Sequence, residues 1–224
     1  MSLVKKHADW LLFVTLALVF MLFPQIDMTV SGWFYDLQSR SWPLEHHPIS
    51  DSIYALFRYV PYVLVPVLLI TVALTFVKGG VDKAQRKIWV FLLVSLIAGP
   101  GILVHSVFKE TFDRARPRQV QEFGGQSGFT PAFVISDKCQ KKCASFVSGH
   151  AAMGFWLMSL AWVFRRRSWL WAGMGIGLVV SAVRIVQGGH FLSDTLMAGF
   201  VCYFVYRGLS WWLFGHSRIR PEPV

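Results

Sequence analysis

The chain has 224 residues, of which 54% are hydrophobic, with ten Trp, nineteen Phe and a formal charge of +10. That length fits a single domain over residues 1–224, and apolar content gathered into long runs excludes an ordinary soluble protein. The positive charge sits in short clusters between those runs, which fits membrane topology signals and anionic lipid and argues against nucleic acid.

Lys5 and Lys6 precede an apolar run from Trp10 to Phe23. This is the basic start and short apolar core of a signal peptide, but Pro24-Gln25-Ile26-Asp27 follows in place of a small-x-small cleavage site. An uncleaved first membrane helix is expected. Residues 24–52 are polar, with Trp33, Phe34, Tyr35 and Trp42 interspersed, as in a segment lying at a membrane interface. A second span runs from about Ile53 or Tyr59 to Val77, with Pro61 and Pro66 expected to bend it. After a basic break from Lys78 to Lys87 comes a third span, Ile88 to Phe108. Its twenty-one residues, at about 1.5 Å each, cross a hydrocarbon core of about 30 Å. Gly99-Pro100-Gly101 marks a kink within it. Residues 109–147 form the one long polar connection. The fourth span, Ala151 to Phe164, is short unless its helix begins near Ser145 or Ser148, and Arg165-Arg166-Arg167 stops it. Trp169–Val186 and Thr195–Phe214 complete an all-α membrane bundle of six transmembrane helices with a periplasmic loop region.

Six spans put both termini on one side, taken as cytoplasmic. The segments on that side hold eleven Lys and Arg against eight opposite, and seven of those eight lie in the single long loop, so the short connections obey the positive-inside bias. Three polar patches then emerge together on the non-cytoplasmic face. They are Lys109 to Pro117 after span three, Ser148-Gly149-His150 opening span four, and Arg184 to Asp194 around the turn between spans five and six. Cations at a helix N-terminus trap a tetrahedral anion. A histidine with an Asp four residues on can be a nucleophile held in one tautomer, and a second imidazole can act as general acid or base.

Each patch also has a plainer reading. Lys109 to Pro117 can be a solvated basic loop, and Ser148 a helix N-cap beside an incidental histidine. His190 and Asp194 can be a helix-surface pair worth only a few tenths of a kcal/mol. Arg184 is harder to dismiss, because a charge near the end of an apolar span is costly unless it serves a function. Gathered on one face, the patches read as a phosphoryl-transfer site. His105 and Arg58 read as satisfied structural or snorkelling groups, Glu110 and Asp113 as partners that orient the cations, and Cys202 as a small core residue. Cys139 and Cys143 lie in the non-cytoplasmic loop, where an oxidising compartment favours a local disulfide; as a metal pair they offer too few ligands for structural zinc.

Lys109-x6-Arg116-Pro117, Ser148-Gly149-His150 and Arg184-x5-His190-x3-Asp194 resemble the three-part signature of the type-two phosphatidic acid phosphatases, membrane lipid phosphatases related to the vanadium haloperoxidases. The signature covers residues 109–194, and the helix layout extends the likeness to the whole chain. Val147 stands where that family usually has Pro, and Val183 where a Ser usually precedes the Arg; the second change removes one candidate phosphate hydrogen bond. Phe23 to Asp27, Gly99-Pro100-Gly101 and the loop from Phe133 through Cys143 resemble the bacterial lipid A 4'-phosphatase branch. The resemblance implies that His190 attacks phosphorus while Asp194 holds its other ring nitrogen. Lys109, Arg116, Arg184, the Ser148 hydroxyl and the Gly149 amide would bind the phosphate oxygens, and His150 would protonate the leaving group and then activate water. It further implies no cofactor and no metal, since three cations supply the charge. It implies a membrane lipid or glycolipid substrate, no nucleic acid, no obligate protein partner, and an inner-membrane location with the site facing the periplasm. Lipid A, undecaprenyl diphosphate, phosphatidylglycerol phosphate and phosphatidate are the candidate substrates, and transfer to a second lipid is an alternative to hydrolysis. An anion transporter or a silent lipid-binding protein is the remaining reading. Transporters hold their charges near the midplane on pseudo-repeated broken helices, whereas here the charges cluster at one face with no visible inverted repeat.

Overall fold

The computed structural model describes residues 7–77, 81–139 and 143–219. Lys5, Lys6, Lys78, Gly79, Gly80, Lys141, Lys142 and Arg220, which enter the sequence reading above, lie outside the described residues.

A proline sets the first corner. Helix α1 (Ala8–Leu22) stops at Phe23, because the residue before a proline is pushed out of the helical region. Helix α2 (Gln25–Gly32) leaves at 82° to α1. It lies inside the segment expected along the interface, and it turns Asp27 and Ser31, four residues apart, into the interior. The following stretch is anchored by Tyr35 and Trp42, whose rings pack on Phe123 at centroid distances of 5.3 and 5.4 Å.

Helix α3 (Pro48–Val77) starts five residues ahead of Ile53 and carries Pro61 and Pro66 inside one continuous helix. Helix α4 (Lys83–Leu96) runs on through a π-helical stretch, Ile97–Phe108, into the single turn α5 (Lys109–Phe112). Pro100 has no N–H for the Leu96 carbonyl and its ring crowds that oxygen, so the hydrogen-bond register changes there. Asp113 ends the turn at φ +37°. Its Oδ1 accepts from the backbone N–H groups of Cys143 (2.7 Å) and Ala144 (3.1 Å), which pins the start of the long loop to its end. A disulfide joins Cys139 and Cys143, with Cα atoms 6.2 Å apart.

The fourth apolar run is broken where one helix is expected. It comprises α6 (Gly149–Phe155), a 3-10 turn (Trp156–Ser159) and the short α7 (Leu160–Val163). Helix α8 (Arg167–Val186) lies against it almost backbone to backbone, since a Cβ on Gly173 would come within 2.3 Å of the Met158 amide nitrogen. Helix α9 (Leu192–Phe214) completes the bundle. Among the described residues there is no strand, only isolated bridges at Asp36–Ser41 and Val120–Ser127. Among the described residues three helical segments are long and apolar enough to cross a membrane, Pro48–Val77, Lys83–Gln119 and Arg167–Val186, and the bent α1–α2 pair would make a fourth. The broken fourth run and α9 are not among those segments.

Candidate active site

The turn between α8 and α9 is built around two glycines. Gly188 has φ +61°, which glycine adopts readily, and it lies against the Trp42 indole, where a Cβ would fall 2.4 Å from the ring. The amides of Gly189 (2.9 Å) and His190 (3.2 Å) both return to the Arg184 carbonyl. The Arg184 guanidinium folds back over Gly189, leaving no room for a side chain there. Gln187 accepts from Arg184 and donates to Asp51 Oδ1 (3.3 Å) and the Glu45 carbonyl (3.2 Å). The face of the guanidinium lies 4.6 Å from the Tyr54 ring centroid, and the same ring stacks on His150 at 4.5 Å. The first turns of α3 therefore hold Arg184 and His150 together.

His190 is 2% exposed. Its Nδ1 lies 3.3 Å from Ser145 Oγ and 3.6 Å from Asp194 Oδ2, and Ser145 donates to that oxygen at 2.6 Å. A hydroxyl thus bridges the imidazole and the carboxylate. With the proton on Nδ1, the relay runs His190, Ser145, Asp194, and the Nε2 lone pair is free. Asp194 Oδ2 also accepts the Phe191 N–H at 2.9 Å, closing the first turn of α9. Asp194 Oδ1 accepts from Arg114 at 2.6 Å. Asp194 is wholly buried, so it is no helix-surface residue.

Ser148 caps α6, with Oγ accepting from the Ala151 N–H at 3.3 Å, while its own N–H donates to the Asp194 carbonyl at 3.0 Å. A hydroxyl that accepts in this way keeps its proton for another partner, so capping and anion binding are compatible. A Cβ built on Gly149 would lie 3.3 Å from Lys109 Nζ and 2.7 Å from His105 Nε2, which puts the ammonium group and His105 against the start of α6. The Arg118 N–H donates to the Gly188 carbonyl at 3.1 Å and ties the Arg116-Pro117 segment to the histidine turn. All three patches therefore meet. Arg58 stays outside, its guanidinium 6.0 and 5.6 Å from the Tyr54 and Tyr59 ring centroids.

Arg116 Nε, Arg184 Nε and His150 Nε2 are buried without a hydrogen-bond partner among the described residues. Buried polar groups are rarely left unpaired, and three in one neighbourhood make a cradle for an anion. Burial first, then the Arg184, Arg116 and Lys109 charges, hold His190 well below the ordinary imidazole range, so it is neutral at pH 7. His150 lies in electrostatic reach of the same three cations and of His190. Such a site can hold a tetrahedral anion, attack it with a neutral imidazole and pass protons through a second one.

Sequence reasoning missed Ser145, Tyr54, Gln187, and the roles of Arg114 and Asp27. Arg114 is buried and bridges Asp194 and Asp27, at 2.6 and 2.8 Å. A carboxylate at Asp27, directly after an apolar run, was the signal available for that pair.

An all-helical bundle with a buried, cation-rich pocket holding two histidines defines a class, and the chain belongs to it: residues 88–218 match the PAP2 superfamily. Among curated relatives, the chain is similar to the lipid A 4'-phosphatase of Francisella tularensis subsp. novicida (strain U112), 34% identical over 193 residues covering 82% of this chain and 84% of the relative. It is also similar to the lipid A 4'-phosphatases of Rhizobium leguminosarum (31% identical, 89% and 92% covered) and Rhizobium etli (30% identical, 85% and 80% covered). No solved structure matches the chain.

Proposed function

We propose that the chain is a lipid phosphatase that hydrolyses the 4'-phosphate monoester of lipid A through a phosphohistidine on His190. The observation that carries this reading is the trio of buried, unpaired nitrogens on Arg116, Arg184 and His150 beside a neutral His190. Relatives bearing the lipid A 4'-phosphatase name, aligned over most of both chains, favour that substrate. An open apolar groove of about 730 Å³ on α3, lined by Leu56, Tyr59, Val63 and Val67 and one turn from Tyr54, fits an acyl-bearing leaving group.

In the first step His190 Nε2 forms a bond to phosphorus and the ester P–O bond breaks; His150, which takes up a proton once the phosphate's negative charge enters among the cations, gives it to the departing lipid oxygen. The Nδ1 proton stays in the bond to Ser145, and the charge gained by the ring is balanced by Asp194. Lys109, Arg116, Arg184, the Ser148 hydroxyl and the Gly149 amide hold the equatorial oxygens as charge spreads over them. In the second step His150, now neutral, takes a proton from water, which attacks phosphorus and frees inorganic phosphate and His190. The positive-inside bias supports six spans with both termini cytoplasmic and this site at the periplasmic face of the inner membrane.

The test is phosphate release from lipid A, undecaprenyl diphosphate, phosphatidylglycerol phosphate and phosphatidate in detergent, with and without a second lipid as acceptor. Lipid A should be hydrolysed best and without an acceptor, vanadate should inhibit, and EDTA should have no effect. His190→Ala should lose at least ~1000-fold in turnover, about 4 kcal/mol of transition-state stabilisation. Undiminished phosphate release by that variant rejects the mechanism.

A further inference from the structure

Asp27 lies on α2, outside the residues that match the superfamily, yet it is wholly buried behind the nucleophile. Both of its oxygens accept. Oδ1 takes the Ser193 N–H at 2.9 Å, and Oδ2 takes Arg114 at 2.8 Å and the Ser193 hydroxyl at 2.5 Å. Burial and the nearby Asp194 charge oppose its ionisation, while the Arg114 charge and the donors on both oxygens favour the carboxylate.

Arg114 is fixed on every side. Its Nε donates to the Thr130 carbonyl at 2.7 Å, and one terminal nitrogen donates to Ser193 Oγ at 2.8 Å and Asp194 Oδ1 at 2.6 Å. The other terminal nitrogen donates to Asp27, and the Phe191 ring centroid lies 4.4 Å from the guanidinium carbon. A planar fork held this way transmits position, because moving one partner moves the other.

We propose that Asp27 is a positioning residue for the reaction: by sharing the charge of Arg114 it keeps Asp194 in place and leaves one net negative charge behind His190. Arg114 alone with Asp194 is a neutral pair, and a neutral pair does little for the positive charge that the imidazole gains on attacking phosphorus. With Asp27 on the far side, the group of three carries one negative charge in all, and the ring has its counter-charge. The charges facing His190 from elsewhere are positive, Lys109, Arg116 and Arg184, and each adds to the need for a counter-charge behind the ring. An ion pair that only fastened α2 to α9 would act on stability and leave turnover per folded molecule unchanged.

The inference rests on the phosphatase reading above, and its test separates the two. Phosphate release is measured as kcat and KM on wild type, Asp27→Asn, Arg114→Gln and the double variant, normalised to monodisperse protein. Asp27→Asn should lower kcat at least about tenfold with KM within about twofold, since the loss falls on the transition state. The double variant removes one charge of each sign and restores the single net negative charge, so it should turn over faster than Asp27→Asn alone. A kcat within about twofold of wild type in Asp27→Asn, or a double variant no faster than the single, overturns the proposal. If Asp27→Asn does not accumulate, Arg114→Gln and the double variant decide it: the double should keep measurable turnover with an unchanged KM, and a loss confined to KM refutes the charge argument. A wild type inactive on every lipid phosphate would instead sink the phosphatase reading.

Discussion

Gly189→Ala isolates the placement of one phosphate ligand. The φ of Gly189 is not in the left-handed region, so alanine meets no backbone strain. Its methyl carbon would, however, lie 2.2 Å from one terminal nitrogen of Arg184, 2.7 Å from the guanidinium carbon and 3.2 Å from Nε. Ordinary contact begins near 3.4 Å, so the whole fork must retreat by about 1.2 Å. The fork is the free end of a side chain and can move without unfolding anything, which keeps the stability cost small. Its bond to Gln187 and its stack on Tyr54 are both lost in the move, and Tyr54 also carries His150. A misplacement of about 1 Å at a reacting centre costs on the order of 100-fold. The assay is kcat and KM for phosphate release from lipid A micelles, with thermal unfolding of the same preparations. A kcat drop of about 100-fold with a midpoint within a few degrees of wild type is expected. A kcat within about threefold of wild type would refute the claim that Arg184 binds phosphate from this position.

Ser145→Ala removes the hydroxyl between His190 and Asp194 and leaves a gap of 3.6 Å between ring nitrogen and carboxylate; kcat should fall by roughly 10- to 100-fold, read by the same phosphate assay. The pH dependence of stability follows from His190. Its imidazole is held well below the ordinary value in the fold, so between that depressed value and about 6.5 the unfolded chain binds the proton and the folded chain does not. The stability this group contributes is complete above about 6.5 and declines by up to about 1.4 kcal/mol per unit as pH falls further. Thermal unfolding at descending pH should show a shallower decline in His190→Gln than in wild type, and identical slopes would contradict the burial of a neutral ring.

The charged members of the site were legible because each is a polar island in apolar sequence at a spacing that chemistry uses. Lys109, Arg116, His150, Arg184, His190 and Asp194 stand out for that reason. Ser148 was legible in two ways, and the structure makes it a cap whose proton remains available. Ser145, Tyr54 and Asp27 were not legible as site members, since their relevance comes from contacts 49, 96 and 166 positions away. Local periodicity carries no information at that range. Gly99-Pro100-Gly101 announced an irregularity but not that it would take the form of a π stretch, because composition shows where a helix is stressed and neighbours decide how it gives way. The eight residues of α2 lack a continuous apolar face, and only burial of Asp27 and Ser31 against the rest of the fold makes them a helix of consequence.

Rapid quenching with 32P-labelled lipid A would capture a covalent bond between phosphorus and His190. In wild type quenched within the first turnovers, label should appear on the protein as an acid-labile, base-stable adduct that maps to residue 190 and is absent from His190→Ala. Label on any other residue, or turnover with no protein-bound phosphate at any time, would contradict the account.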